Sequence, residues 1–149
     1  SKAFFDIVDA WVPSPNVFHE GNREQAESTL GIPDQLYNSG WWEVGADEAL
    51  VLDMQPPECR YWSLALCDYW GGSFDYRYWQ INVNNDTACV RSDGSVRIII
   101  AHRNPGLAET NWLDTAGHDR GVWTLRWMET VSDHRPEVRR MPFSDLRDL

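Results

Sequence analysis

A chain of 149 residues that is 42% hydrophobic is long enough to close one sizeable core, and a single domain over 1–149 is expected. A formal net charge of -10 argues against nucleic acid and against an anionic membrane as partners, because both require a basic surface. Nine Trp are a heavy load for this length, and indoles both fill cores and stack on flat ligands such as sugar rings.

No apolar run reaches the length of a membrane-crossing helix. Cys59, Cys67 and Cys89 are odd in number and form no C-x-x-C pair. Cys59 and Cys67 fall on one face of one predicted strand, too far apart for a disulfide. All three are expected to be buried free thiols, which favours a cytoplasmic location.

Phe4, Phe5, Ile7, Val8 and Trp11 recur at helical spacing and predict a short amphipathic helix over Ala3–Trp11, stopped by Pro13 and Pro15. A second helix is predicted over Asn22–Leu30, with Asn22 as its cap, Gln25 three residues on and Gly31 at its end. Pro33 and an Asn38-Ser39-Gly40 turn close this helical segment, 1–39. From Gly40 the period changes. Trp41–Val44 and Ala49–Met54 read as strands around a Gly45-Ala46-Asp47-Glu48 turn. After Pro56-Pro57, Arg60–Trp70 is apolar on both faces and should be a central strand, ended by Gly71-Gly72. Tyr76–Val83, Thr87–Arg91 and Val96–His102 follow, separated by Asn84-Asn85-Asp86 and by the hairpin signal Ser92-Asp93-Gly94. In Gly121–Thr130, Val122, Thr124, Arg126 and Met128 alternate with Trp123, Leu125, Trp127 and Glu129. The polar stretch 131–149 reads as an irregular, Arg-rich tail. The expected fold is mostly β, an antiparallel β-sandwich or jelly roll over 40–130 with two short N-terminal helices.

Asp114, His118 and Asp119 bring two carboxylates and an imidazole together in a Gly-punctuated loop between strands, a usual place for a site on a β scaffold. A carboxylate beside an imidazole fixes its tautomer and raises its basicity, so His118 is a candidate general base. The bland alternative is that Asp114 and Thr115 cap a turn. His102 ends the preceding strand and is expected near His118, but no third ligand is spaced to complete a metal site, so none is expected. Arg126, set mid-strand between Trp123 and Trp127, should pair with Asp68 or Asp53, or hold an anionic ligand. Tyr69, Trp70, Phe74, Tyr76, Tyr78 and Trp79 bracket Gly71-Gly72-Ser73; with Trp112 they form either an aromatic cleft or core. Neither a nucleophile elbow, a phosphate-binding loop nor a dinucleotide fingerprint is present, and no cofactor is expected.

The order Trp62-Ser63-Leu64, Tyr78-Trp79-Gln80-Ile81-Asn82, Asp93-Gly94-Ser95-Val96, Pro105-Gly106, Asn111-Trp112-Leu113 and Arg126-Trp127 resembles the domain-of-unknown-function family numbered 1214. The resemblance covers roughly residues 40–130, and Asn-Trp-Leu after a Pro-containing loop is its most telling step. It implies a jelly-roll-like sandwich, often carboxy-terminal to a companion domain numbered 1254, and brings no catalytic residue or cofactor. No such companion precedes Ala3, so a lone domain or a piece of a longer protein is expected. The Asp114–His118 loop is richer in polar groups than the family pattern.

Three functions follow from these residues. The first is binding of a small or carbohydrate-like ligand by Asn111, Trp112, Arg120, Trp70 and Trp79, oriented by Asp114, His118 and Arg126. The second is a hydrolase or lyase in which His118, with Asp114 or Asp119, acts as general base and Arg120 or Arg126 stabilises negative charge. The third is an accessory subunit whose exposed aromatics pack on a second copy or a partner domain.

Overall fold

Alternation along one strand organises the molecule. Trp123, Leu125 and Trp127 are completely buried, while Thr124, Arg126 and Met128 between them are half-buried on the opposite face. The computed structural model describes residues 2–20, 35–130 and 134–149. It contains α1 (Lys2–Trp11), β1 (Gln35–Glu43), β2 (Glu48–Met54), β3 (Tyr61–Cys67), β4 (Asn82–Asn84), β5 (Val96–Ala101), β6 (Asn111–Asp114), β7 (Arg120–Met128), β8 (Glu137–Pro142) and a closing 3-10 helix, Phe143–Asp148. The first sheet runs β1-β7-β3-β4 and the second β6-β5-β2-β8. Their inner faces enclose Trp42, Leu50, Leu52, Leu64, Leu66, Ile98, Ile100, Trp123, Leu125 and Trp127. The protein is a mostly β, two-sheet sandwich.

Full burial of a Leu or Ile contributes about 1.5–3 kcal/mol. An exposed ion pair contributes at most about 1 kcal/mol. The inner faces therefore set the register, and the charged edges follow. The indoles also need donors satisfied: Trp127 Nε1 donates to Asn38 Oδ1 at 2.9 Å and Trp123 Nε1 to Val17 O at 3.3 Å. Phe18 stacks on Trp123 with ring centres 4.2 Å apart, which pins the segment after α1 along the free edge of β1.

The outer face of the second sheet is also apolar. Ala49, Val51, Ile99 and Ala101 lie under Leu146 of the 3-10 helix, with Trp112, Leu107, Met141 and Phe143 around them. On the first sheet, α1 sets Val8 on Trp41 and Val122. Among the described residues no helix is long and apolar enough to cross a membrane.

Several expected elements differ. The Asn22–Leu30 helix lies outside the described residues. Asn38-Ser39-Gly40 lies inside β1 and is no turn; a Cβ at Gly40 would meet Val17 O, so glycine there permits a close approach. Tyr76–Val83 is a turn for most of its length: Asp75 Oδ1 accepts from Arg77 N–H and Asp75 O from the Tyr78 and Trp79 amides, leaving only β4 to pair. Thr87–Arg91 forms no strand either, because the Asn84 side chain takes the Asp86 and Thr87 amides. The sandwich is not wholly antiparallel, since β6 lies parallel to β5 after residues 102–110 cross back over the sheet. The expected irregular tail holds β8, paired antiparallel with β2. Its sequence, EVRRMP, has no apolar alternation to announce it, and partners across the strand hold it: Arg139 bonds Asp53, and Arg140 bonds Glu48. Nor are the thiols uniformly buried, because Cys59 and Cys67 are half-buried and Cys89 is exposed; all three are free.

Asp53 joins three strands, accepting from Arg97 at 2.7 Å and from Arg139 at 3.0 Å. Burial pulls its carboxyl upward, but hydrogen bonds and charge from Arg97 and Arg139 outweigh it and hold the group below the usual carboxylate range. A lowered folded value contributes stability above the unfolded value, about 3.9, and loses it as pH falls through the folded one. Thermal melts should therefore show Asp53→Asn less stable than the parent at neutral pH, with the gap closing below about pH 4. A gap independent of pH would contradict this role.

Candidate functional site

The loop after β6 folds on itself. His118 N–H donates to Thr115 O at 2.9 Å across Ala116 and Gly117, whose φ values are 51° and 80°. Asp114 Oδ1 accepts from Ala116 N–H at 2.9 Å and so serves the turn, and the His118 ring lies flat on Phe74 with centres 4.4 Å apart. Asp114 and His118 thus shape a tight turn; neither reaches the other through any hydrogen bond among the described residues.

The second imidazole has different company. His102 lies within 3.3 Å of Asp119 Oδ1 and 3.2 Å of Val44 O, both reached by Nε2. A proton on Nε2 would serve both acceptors. Beside this pair, Glu43, Val44, Gly45, Ala46, Glu48, Asp119, Arg120 and Arg140 line an open depression of about 360 Å³. Here Arg140 grips Glu48 through two hydrogen bonds of 2.8 and 2.9 Å, and that hydrogen bonding holds the Glu48 carboxyl below its usual range. Arg120 is exposed at the end of β7, opposite Glu43 in register. The depression is ionic and open, and among the described residues no cluster of His, Cys, Asp and Glu is able to hold a metal ion.

Arg126 sits elsewhere. It lies six residues beyond Arg120 on β7, about 20 Å along the strand, and faces outward from the first sheet. It pairs with neither expected acid: Asp53 is held by Arg97 and Arg139, and Asp68 Oδ1 accepts from Gly72 N–H. Arg126 thus lies on β7 of the first sheet, whereas Asp114 ends β6 of the second.

A second cleft, of about 510 Å³, lies where β4 and β6, the edge strands of the two sheets, approach one another. Gln80, Val83, Thr87, Cys89, Asn104, Thr110, Asn111 and Trp112 line it. Asp114 N–H donates across the gap to Gln80 O at 2.7 Å. Asn111 is fully engaged: its Oδ1 accepts from Cys89 N–H at 2.7 Å, and its Nδ2 donates to Cys89 O and Arg97 O, each at 3.0 Å. Trp112 Nε1 donates to Ala101 O at 3.1 Å, which fixes the indole plane. Gln80 Oε1 and Asn104 Nδ2 carry no protein hydrogen bond among the described residues. Gln80, Asn104, Thr87 and Thr110 were missed in the sequence, where only their positions beside turns hinted at exposure.

The aromatic run does not line this cleft. Trp70 is 70% exposed, Tyr76 73%, Tyr78 76% and Trp79 42%; Phe74 alone of the run is buried. Trp70 meets Phe5 edge-on at 5.4 Å and Tyr69 at 5.1 Å, so this loop and α1 share one aromatic surface. The Asn111 side chain holds the Cys89 backbone from both its amide and its carbonyl. Asn111→Ala strands one amide and two carbonyls, and chemical denaturation should show a loss of about 1–2 kcal/mol. Alkylation of Cys89 should quicken in the same variant; unchanged stability and thiol reactivity would contradict the tie.

No curated protein matches this chain. An uncharacterised protein from Burkholderia cenocepacia is 36% identical and superimposes with a TM-score of 0.90, over 97% of this chain and 40% of its own. The VPA0106 protein from Vibrio parahaemolyticus is 15% identical, with a TM-score of 0.54 over 77% of this chain and 33% of its own, and shares the fold alone. The chain thus spans well under half the length of either solved structure. The model of the family described as Protein of unknown function (DUF1214) matches residues 43–131, and the chain belongs to that family.

Proposed function

We propose that the domain binds a small, neutral, hydroxyl-rich ligand in the cleft between β4 and β6. The observation that carries this reading is the lining itself. On a chain of net charge -10, the cleft is walled by three carboxamides in Gln80, Asn104 and Asn111, two hydroxyls in Thr87 and Thr110, Cys89, Val83 and the indole of Trp112, with no Asp, Glu, Lys or Arg. Carboxamides donate and accept side by side and so match vicinal hydroxyls; an indole offers apolar surface to a ring. Asn111 and Trp112 are pre-positioned by their own bonds and act as walls, while Gln80 and Asn104 supply unpaired polar atoms.

Catalysis by His118 with Asp114 or Asp119 draws less support, because Asp114 serves a backbone amide and His118 lies against Phe74. Docking on a second copy or partner domain has its own support in Trp70, Tyr76 and Tyr78, each at least 70% exposed on one loop.

Titrating a panel of neutral mono- and disaccharides should move the Trp112 indole resonance in NMR spectra. Gln80→Ala and Asn104→Ala should each weaken the best binder about five- to tenfold, the equivalent of roughly one hydrogen bond. If no sugar moves Trp112, or if both variants bind as the parent does, the reading fails.

A further inference from the structure

We propose that the outer face of the first sheet binds a small organic acid, with the Arg126 guanidinium holding its carboxylate and Tyr37, Tyr61 and Met128 flanking its body. Arg126, Tyr37, Tyr61 and Met128 lie on β7, β1 and β3 and none of them lines the β4–β6 cleft, so the site stands or falls without it. Register sets Tyr37, Arg126, Ser63 and Asn84 in one row across β1, β7, β3 and β4. Gln35, Met128 and Tyr61 stand in the row on one side, and Ser39, Thr124, Ala65 and Asn82 in the row on the other. Gln35 is buried and Asn82 exposed; the other side chains are half-buried.

Among the described residues, the cation at the centre of this face has no adequate acceptor. Arg126 Nε is buried without a hydrogen-bond partner, and Nη2 reaches the thioether of Met128, at 3.6 Å, and no other acceptor there. Sulfur of that kind accepts weakly, and a desolvated charge without a counter-ion is costly. The carboxylates that a strand-borne Arg would ordinarily recruit are taken: Asp53 by Arg97 and Arg139, Glu129 by Arg60. A guanidinium is built to take a carboxylate through two parallel N–H donors.

The surroundings choose the class of anion. Every neighbour in the three rows is neutral, so a single negative charge is matched and a phosphate dianion is not. At the Tyr61–Met128 end Arg60 pairs with Glu129, and at the far end of β1 and β7 Glu43 and Arg120 face one another. There α1 covers Trp41, Val122 and Cys67. Around Arg126 the two tyrosines and Met128 offer apolar and aromatic surface, which suits an acid with a ring or short chain.

Benzoate is the probe, benzamide its uncharged counterpart, and calorimetric titration of the full chain the measurement. Benzoate should bind, and benzamide at least tenfold more weakly. Arg126→Met should lose benzoate binding at least tenfold while melting at the same or a higher temperature, because it removes an unpaired charge and keeps the stem's volume. Arg126→Gln serves if the methionine variant does not fold. Equal binding of benzoate to parent and variant, or no binding to the parent at millimolar concentration, would overturn the proposal. So would a dimer, seen by light scattering, that disperses in Arg126→Met, since the carboxylate partner would then be a second chain.

Discussion

Two indoles on β7 must be buried, and most of the architecture follows from that. Trp123 and Trp127 lie two turns of the pleat apart, both at 0% exposure, with Leu125 between them. Burying that face requires a second sheet, and β2 and β5 supply it with Leu50, Leu52, Ile98 and Ile100. Each indole N–H then needs an acceptor at a defined place. Asn38 on β1 meets one, and the carbonyl of Val17 meets the other, so the segment after α1 is tied to the free edge of β1. A single-residue slip of β7 would exchange the indoles for Thr124 and Arg126. The same alternation that makes the core therefore carries Arg126 to the outside.

Polar chemistry is partitioned by place. At the β1–β7 end, His102, Asp119, Glu48 and Arg140 satisfy one another in an open ionic depression. Along the β4–β6 edge, the groups are neutral amides and hydroxyls, with Asn111 bonded to backbone carbonyls. On the outer face of the first sheet, one guanidinium stands in a neutral field. Charged groups that find partners within the fold stabilise it modestly; groups left unmatched are where a ligand has something to offer.

The apolar run in Val96–His102 and the alternation through Trp123–Trp127 were plain in the sequence, and β5 and β7 form there. β8 was not legible, because its cohesion comes from Asp53 and Glu48 across the sheet, and EVRRMP alone carries no apolar period. Strand character over Tyr76–Ile81 was overestimated, since aromatic content resembles a strand while Asp75 quietly closes a turn. Asn111 and Trp112, adjacent in the sequence, both line the cleft between β4 and β6. Asp114, His118 and Arg126 were grouped because they are close in sequence and chemically suggestive. A strand rises about 3.3 Å per residue, so the six positions from Arg120 to Arg126 cannot be closed by any side chain.

β7 is the buried, doubly paired centre of the first sheet. Amide hydrogen exchange reads that directly. The amides from Val122 to Trp127 should exchange only through global unfolding and rank among the slowest in the protein, with β8 amides exchanging orders of magnitude faster from the edge of the other sheet. Exchange of the β7 amides at the rate of β8 would contradict it.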